Sequence, residues 1–141
     1  MPMIDVDIPE GVIPASAHRQ LVHDLGLALL AAEGLPAEGS MLDNIGLYVH
    51  VIRADNVGTI ASSATIVRVR ATTAAGRLSR QGQRQFIADA TRLVARAGND
   101  PVLTSRTWVL HTETAEGGWG MSGRALGSED FDELNAAIRG N

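Results

Sequence analysis

Pro2 directly follows the initiator Met1 and opens a run, residues 3–8, in which apolar and acidic side chains alternate. Processing of the bacterial type normally removes a methionine before a small residue such as proline, which would leave a secondary amine at the start of the mature chain. An α-amino group has a pKa of roughly 7.7–8.0, and burial lowers it further because desolvation disfavours the ammonium. Proton-transfer catalysis requires a base with a pKa near neutrality. Pro2 is therefore a candidate catalytic base, although a proline at this position is also common in proteins that do not use it.

The composition limits which other groups could do such chemistry. The chain has no Cys, and all twelve of its basic residues are Arg, so a basic or nucleophilic nitrogen must come from the N-terminus or from one of four His. His18 and His23 are five positions apart, whereas a metal-binding pair on one helix face is spaced by about four. No Ser-His-Asp signature, P-loop or Gly-x-Gly-x-x-Gly occurs. We therefore expect no metal and no cofactor.

Length and charge indicate the class of protein. The 141 residues are expected to form a single domain, 1–141, that buries about two-thirds of its unfolded surface. No apolar run approaches the roughly 18 residues of a membrane span, and acidic residues stand where a signal peptide would be basic. A net charge of −4 argues against a nucleic-acid partner. These features predict a cytoplasmic protein with no membrane or nucleic-acid partner.

The chain repeats itself with a shift of 65 residues, which aligns positions 2–36 with 67–101 without a gap. Gly11 falls on Gly76, and Pro36 falls on Pro101. After Pro36 the alignment gives the first copy four extra residues, so that His50 aligns with His111. The repeat halves span about 2–62 and 65–126, and a tail helix is predicted over 128–138.

Each half is predicted to be a strand, a helix and a strand, giving an α/β fold. The predicted strands are 3–8, 45–52, 65–71 and 107–112, and the predicted helices are 15–32 and 79–97, the second capped by Ser79. Right-handed crossovers make the two strands of each half parallel and place both helices on one face of a four-stranded sheet. Residues 48–52 read as apolar on both sides, so we expect the uncovered face to be buried against another subunit.

A family resemblance follows from these residues. The N-terminal Pro, the duplicated β-α-β unit and the Gly-rich turn after the last long strand resemble the tautomerase superfamily. This superfamily includes 4-oxalocrotonate tautomerase (4-OT), macrophage migration inhibitory factor, cis-3-chloroacrylic acid dehalogenase and malonate semialdehyde decarboxylase. The similarity extends from Pro2 to about Leu126 and is sharpest over residues 103–123. It implies a homotrimer in which the proline lies on the floor of a pocket near subunit boundaries.

The resemblance also implies roles for individual residues. In 4-OT a Gly-Arg pair follows the proline by nine and ten positions, and its Arg binds the substrate carboxylate. That count reaches Val12 in the first half, but from Val67, the repeat image of Pro2, it reaches Gly76-Arg77. Arg77 thus resembles the carboxylate-binding residue, and Trp119 matches the aromatic that walls the pocket. An ordinary loop arginine and an ordinary hairpin aromatic remain the alternatives.

Other positions depart from the family pattern. Trp108 replaces the family's second Arg, and Arg106, read as lying two residues earlier on the same strand face, is the candidate substitute. Met121 stands where the dehalogenase has its water-activating Glu, so hydrolytic dehalogenation has little support.

The resemblance implies a keto–enol tautomerase that uses Pro2 as general base on a 2-oxo or 2-hydroxy-alkenoic acid, a small carboxylate substrate. The alternatives are a decarboxylase or dehalogenase of the same superfamily, or a non-catalytic trimeric binding protein on this scaffold.

Overall fold

The computed structural model describes residues 2–140; Met1 and Asn141 lie outside it. The first half consists of β1 (Met3–Pro9), α1 (Ala15–Glu33), a one-turn helix α2 (Ser40–Asp43) and β2 (Gly46–Ile52). The second half consists of β3 (Val67–Thr73), α3 (Arg80–Gly98), a one-turn helix α4 (Leu103–Arg106) and β4 (Thr107–Glu113). The hairpin strands β5 (Trp119–Met121) and β6 (Arg124–Leu126) and the tail helix α5 (Ser128–Arg139) complete the chain.

The sheet has the predicted topology. Its strand order is β2-β1-β3-β4, with β1 parallel to β2, β3 parallel to β4, and β1 antiparallel to β3. The two β-α-β units therefore meet along β1 and β3. Equivalent strand ends of the two units lie at opposite edges of the sheet, where an edge means the border formed by strand ends and not an outer strand.

Both long helices cover one face of the sheet, as predicted, because each carries an apolar stripe with helical spacing. Alternate residues of the central strands face these helices and are at most 1% exposed: Ile4, Val6, Ile8, Val67, Val69 and Ala71. Ser79 caps α3 as predicted, since its hydroxyl accepts a hydrogen bond from the Gly82 amide at 3.0 Å. α1 ends at Gly34, whose φ of 69° is a left-handed conformation that glycine adopts without strain.

The opposite face of the sheet is uncovered, but it is charged at its centre rather than apolar. Arg68 Nε donates to Asp7 Oδ2 at 2.7 Å, and His50 Nε2 lies 2.9 Å from Asp5 Oδ1. Asp7 itself is buried. Residues 48–52 are therefore not apolar on both sides. Exposed apolar side chains flank the charged rows on the outer strands: Tyr48, Trp108 and Leu110.

The predicted equivalence of His50 and His111 is wrong by one residue. Val6 pairs with Val49, 43 positions later, whereas its repeat image Ala71 pairs with His111, 40 positions later. The first half thus has three extra residues, not four, and His111 corresponds to Val49. His50 lies on the uncovered face, whereas the alternation of β4 places His111 on the helix side, where its Nε2 lies 2.9 Å from the Thr73 hydroxyl.

The C-terminal part packs on its own chain. The turn between β5 and β6 has positive φ at both Ser122 and Gly123, as tight hairpin turns require. Phe131 of α5 is 3% exposed and packs with Ala74 and Leu126. Residues 57–66, which connect the two halves, contain no strand and form a turn in which the Thr59 amide donates to the Ser62 carbonyl at 2.8 Å. No helix in the described residues is long and apolar enough to cross a membrane.

Candidate functional site

Pro2 lies at the edge of the sheet where β1 begins. The residue is buried, and its carbonyl oxygen accepts a hydrogen bond from the Gly46 amide at 3.2 Å. Met3 pairs with Thr72, so the register places Pro2 beside Thr73, the last residue of β3. Met1, whose removal would free the Pro2 nitrogen, lies outside the described residues.

Arg77 emerges at the same edge because β3 runs antiparallel to β1. It follows β3 in a tight turn in which Gly76 has a φ of 70° and the Arg77 amide donates to the Ala74 carbonyl at 3.3 Å. Only 20% of the Arg77 side chain is exposed. The strand polarity thus brings the candidate base and the candidate carboxylate-binding residue to one edge.

Helix α5 supplies the partners of the Arg77 guanidinium. Nη1 donates to Asp132 Oδ1 at 2.7 Å, and Nη2 donates to the Ser128 carbonyl at 3.4 Å. The guanidinium carbon lies 5.7 Å from the centre of the Phe131 ring, within the range of a cation–π contact. Arg77 Nε is buried without a hydrogen-bond partner among residues 2–140. The Arg77 guanidinium is therefore already paired with a carboxylate of its own chain, that of Asp132.

Glu33, the last residue of α1, lies at this edge as well and was not singled out from the sequence. Burial raises the pKa of its carboxyl to about 7, although the positive charge of Arg77 acts to lower it. The signal was present in the sequence: Glu33 continues the buried stripe of Leu21, Leu25 and Leu29 at intervals of four. A charged residue on a core-facing stripe indicates a buried ionisable group.

A cavity of about 390 Å³ joins Arg77 and Glu33, and Pro2 is not among the residues that line it. Arg77 and Gly76 of the β3–α3 loop, Glu33 and Leu35 at the end of α1, and one face of α5 line it. The residues from α5 are Asp132, Asn135, Ala136 and Arg139. A second cavity of about 470 Å³ lies on the other side of Asn135 and reaches the segment 38–41. Arg139, which was also not predicted, gives the first cavity a second cation from the same chain.

Trp119 is close to this cavity but does not line it within one chain. Its ring meets the Phe131 ring edge-on at 6.5 Å between centroids, and Phe131 in turn lies against Arg77. Its assignment to the pocket wall stays a prediction.

Arg106 lies at the opposite edge of the sheet. It is exposed and is the last residue of α4, directly before Thr107. The expectation that it lies on the same strand face as Trp108 is therefore wrong. Val67 pairs with Thr107 at the start of β3, whereas Arg77 follows the end of β3. Arg106 can meet a Pro2 site only if that site belongs to another subunit.

The repeat creates an equivalent position at the opposite edge, and there the chemistry is absent. The images of Pro2, Glu33 and Arg77 are Val67, Gly98 and Val12. A Cβ built on Gly98 would lie 2.4 Å from a Leu103 methyl carbon and 3.3 Å from the Val12 carbonyl oxygen. Apolar packing therefore closes the second position.

The comparisons with known proteins agree with this architecture. No family model and no curated protein matches the sequence. Among solved structures, the protein Pt0534, inactivated by 2-oxo-3-pentynoate, matches with a TM-score of 0.74 and 15% identity over 90% of this chain and 97% of its own. A wild-type fused 4-OT, a symmetric trimer, matches with a TM-score of 0.74 and 17% identity over 92% and 98%. Macrophage migration inhibitory factor from Toxoplasma gondii matches with a TM-score of 0.67 and 17% identity over 88% and 99%. The chain has the fold that these proteins share.

Proposed function

We propose that this chain, which has the fold of the tautomerase superfamily, is a keto–enol tautomerase acting on a 2-oxo or 2-hydroxy-alkenoic acid. The observation that carries the proposal is that Pro2 and Arg77 lie at the same edge of the sheet, where Arg77 lines a cavity large enough for a small carboxylic acid.

The proposed chemistry moves one proton between oxygen and carbon. The neutral Pro2 amine takes the proton of the enol hydroxyl, and the electrons of that bond form the carbonyl. The electrons of the enol double bond then take the proton back from the prolyl ammonium at carbon. Arg77 holds the substrate carboxylate through paired hydrogen bonds, which fix its orientation and stabilise the charge that develops next to it.

Two further residues have assigned roles in this proposal. Trp119, with Phe131, shields the amine side of the pocket from water, which keeps the pKa of the amine low. Arg106 of a neighbouring subunit would supply a second cation, which requires an oligomer.

The test measures ketonisation of phenylenolpyruvate or 2-hydroxymuconate. We expect Arg77→Ala to lose roughly 10²-fold in kcat/KM, mostly through KM, because a charged hydrogen-bonding partner is removed from the carboxylate. Pro2→Ala leaves a primary amine, so a partial loss is expected. Arg84→Ala, an exposed arginine on α3, is the matched control. Wild-type rates in both Pro2→Ala and Arg77→Ala would contradict the assignment.

A second candidate is a non-catalytic binding protein on the same scaffold, because Asp132 already occupies the Arg77 guanidinium. Intact mass separates the two candidates. Loss of Met1 together with one covalent adduct of 2-oxo-3-pentynoate on Pro2 supports the enzyme, whereas a retained Met1 converts the Pro2 nitrogen into an amide that has no basicity.

A decarboxylase of the same superfamily is a further alternative, since Arg77 and a prolyl ammonium could serve that reaction too. Hydrolytic dehalogenation lacks its water-activating carboxylate at Met121. Release of carbon dioxide from a 3-oxo acid would distinguish decarboxylation from tautomerisation.

A further inference from the structure

Glu33 shares the cavity of Arg77 but has no part in the chemistry proposed above. The helix α1 runs back along β1, so its last residue returns to the edge where Pro2 begins the sheet. Glu33 therefore lines the cavity from the end of the core-facing stripe of its helix and is partly buried, rather than lying on the solvent face where glutamates normally lie.

The second half of the repeat shows what this position becomes when it has only a structural role. There the residue is Gly98, and Leu103 packs so closely against it that a side chain would collide. The neighbouring backbone is that of Val12, the image of Arg77. In the first half, the Glu33 side chain instead lines a cavity together with the Gly76-Arg77 turn. Pro2, Glu33 and Arg77 lie at one edge of the sheet, whereas their images at the other edge are Val67, Gly98 and Val12.

Charges of both signs face Glu33. Arg77 approaches from the β3–α3 loop and Arg139 from α5, and Asp132 on α5 adds a carboxylate already paired with Arg77. Desolvation outweighs the cations, so the carboxyl changes its protonation state near pH 7 and can act as an acid at neutral pH.

We propose that Glu33 is the second proton-transfer group of this site, donating its proton to the carbonyl oxygen of a 2-oxo acid bound to Arg77. The inference rests on the proposed function and replaces one step of it: Glu33, rather than Pro2, exchanges the proton at oxygen, and Pro2 acts only at carbon. As Pro2 removes a proton from the carbon next to the carbonyl, the electrons of that C–H bond form the enol double bond. The carbonyl π electrons then take the Glu33 proton at oxygen. Glu33 is left as a carboxylate and Pro2 as an ammonium, and passage of one proton from the ammonium to the carboxylate restores both.

The test follows exchange of the C3 hydrogens of phenylpyruvate for deuterium by NMR, with the spontaneous rate in buffer subtracted. In the wild type the enzymatic rate is expected to fall as pH rises through about 7, because Glu33 loses the proton that it donates. Glu33→Gln cannot transfer a proton, so its rate at pH 6 should be lower by roughly 10²-fold and should lack that descending limb. Glu33→Asp should keep the limb with partial activity.

Glu10→Gln, an exposed glutamate at the far end of β1, is the matched control and should leave the profile unchanged. If folded Glu33→Gln keeps the wild-type rate and the descending limb, the inference is wrong. The proposed function is judged separately: loss of exchange in Arg77→Ala with normal exchange in Glu33→Gln would leave the tautomerase assignment standing and reject the role of Glu33.

Discussion

Glu33 couples the stability of the fold to pH. Its carboxyl has a pKa of about 7 in the folded chain against an ordinary value of 4.5, so between these pH values the native state binds more protons than the unfolded state. The stability that Glu33 contributes is therefore fully present below about pH 4.5 and is lost as pH rises to about 7.

Glu33→Gln removes this dependence. We subtract the free energy of unfolding of the wild type from that of the variant, both measured by urea unfolding. This difference should be more positive at pH 8 than at pH 5. Other titrating groups cancel in the difference between the two proteins. An equal difference at both pH values would show that Glu33 ionises normally in the folded chain.

The site could be predicted from the sequence only where a residue's role depends on chain position. Pro2 was singled out by its position after Met1, and Arg77 by its resemblance to the 4-OT Gly-Arg pair counted from Val67. Strand polarity brings both to one edge, and their roles stay predictions. Glu33 and Arg139 were not found because their placement depends on where two helices end relative to a third element. The apolar stripe of α1 does indicate that Glu33 faces the core, but the groups that surround its carboxyl, and hence its raised pKa, depend on tertiary packing.

At the scale of elements, α5 controls access to Arg77. The helix is fixed to the chain by Phe131 and by the Ser128 amide, which donates to Glu116 at 2.6 Å, and it presents Asp132 to the guanidinium. If Arg77 binds the substrate carboxylate, every substrate must first displace Asp132. The ion pair is a competitor within the same chain.

Asp132→Asn should therefore lower KM for a carboxylate substrate. Because Asp132 is exposed, the ion pair is worth up to about 1 kcal/mol, which corresponds to a decrease in KM of about fivefold at most. Glu133→Gln on the exposed side of α5 removes the same charge without touching Arg77 and should leave KM unchanged. Steady-state kinetics with phenylenolpyruvate make the comparison, and an unchanged or raised KM in Asp132→Asn would show that the two carboxylates do not compete.

The long elements were predictable because hydrophobic periodicity extends over their whole length. α1 and α3 begin and end within one residue of prediction. The one-turn helices α2 and α4 were missed because four residues are too few to show a period. Because α2 was not predicted, the number of extra residues in the first half was set at four instead of three, which paired His50 with His111. Because α4 was not predicted, Arg106 was assigned to a strand.

For the whole molecule, the uncovered sheet face predicts assembly. Trp108 is 53% exposed and Tyr48 50%, and these rings flank the charged centre of a face that also carries the buried Asp7. Closed rotational symmetry is the usual way to cover such a face, and a trimer is the assembly expected from the sequence. Light scattering should give about three times the 14.9 kDa of one chain.

Trp108→Glu tests whether this face is the interface. A charge in place of the ring should shift the measured mass towards that of one chain, because burying an unpaired carboxylate is costly. Ile87→Glu on the exposed side of α3 changes an apolar residue of similar exposure and should leave the trimer intact. A wild type that is an active monomer would overturn both the trimer and the role of Arg106.

The close packing around Gly98 agrees with the number of terminal amines that one chain can have. A polypeptide has one α-amino group however many repeats it contains, so joining two β-α-β units into one chain leaves the second unit without a terminal nitrogen. Val67, its counterpart of Pro2, is preceded by a peptide bond and can never be a base. Val12 and Gly98 therefore have no catalytic amine beside them, and at these positions Leu103 and the Val12 backbone pack closely against Gly98. Each chain should accordingly bind one equivalent of an amine-directed inhibitor.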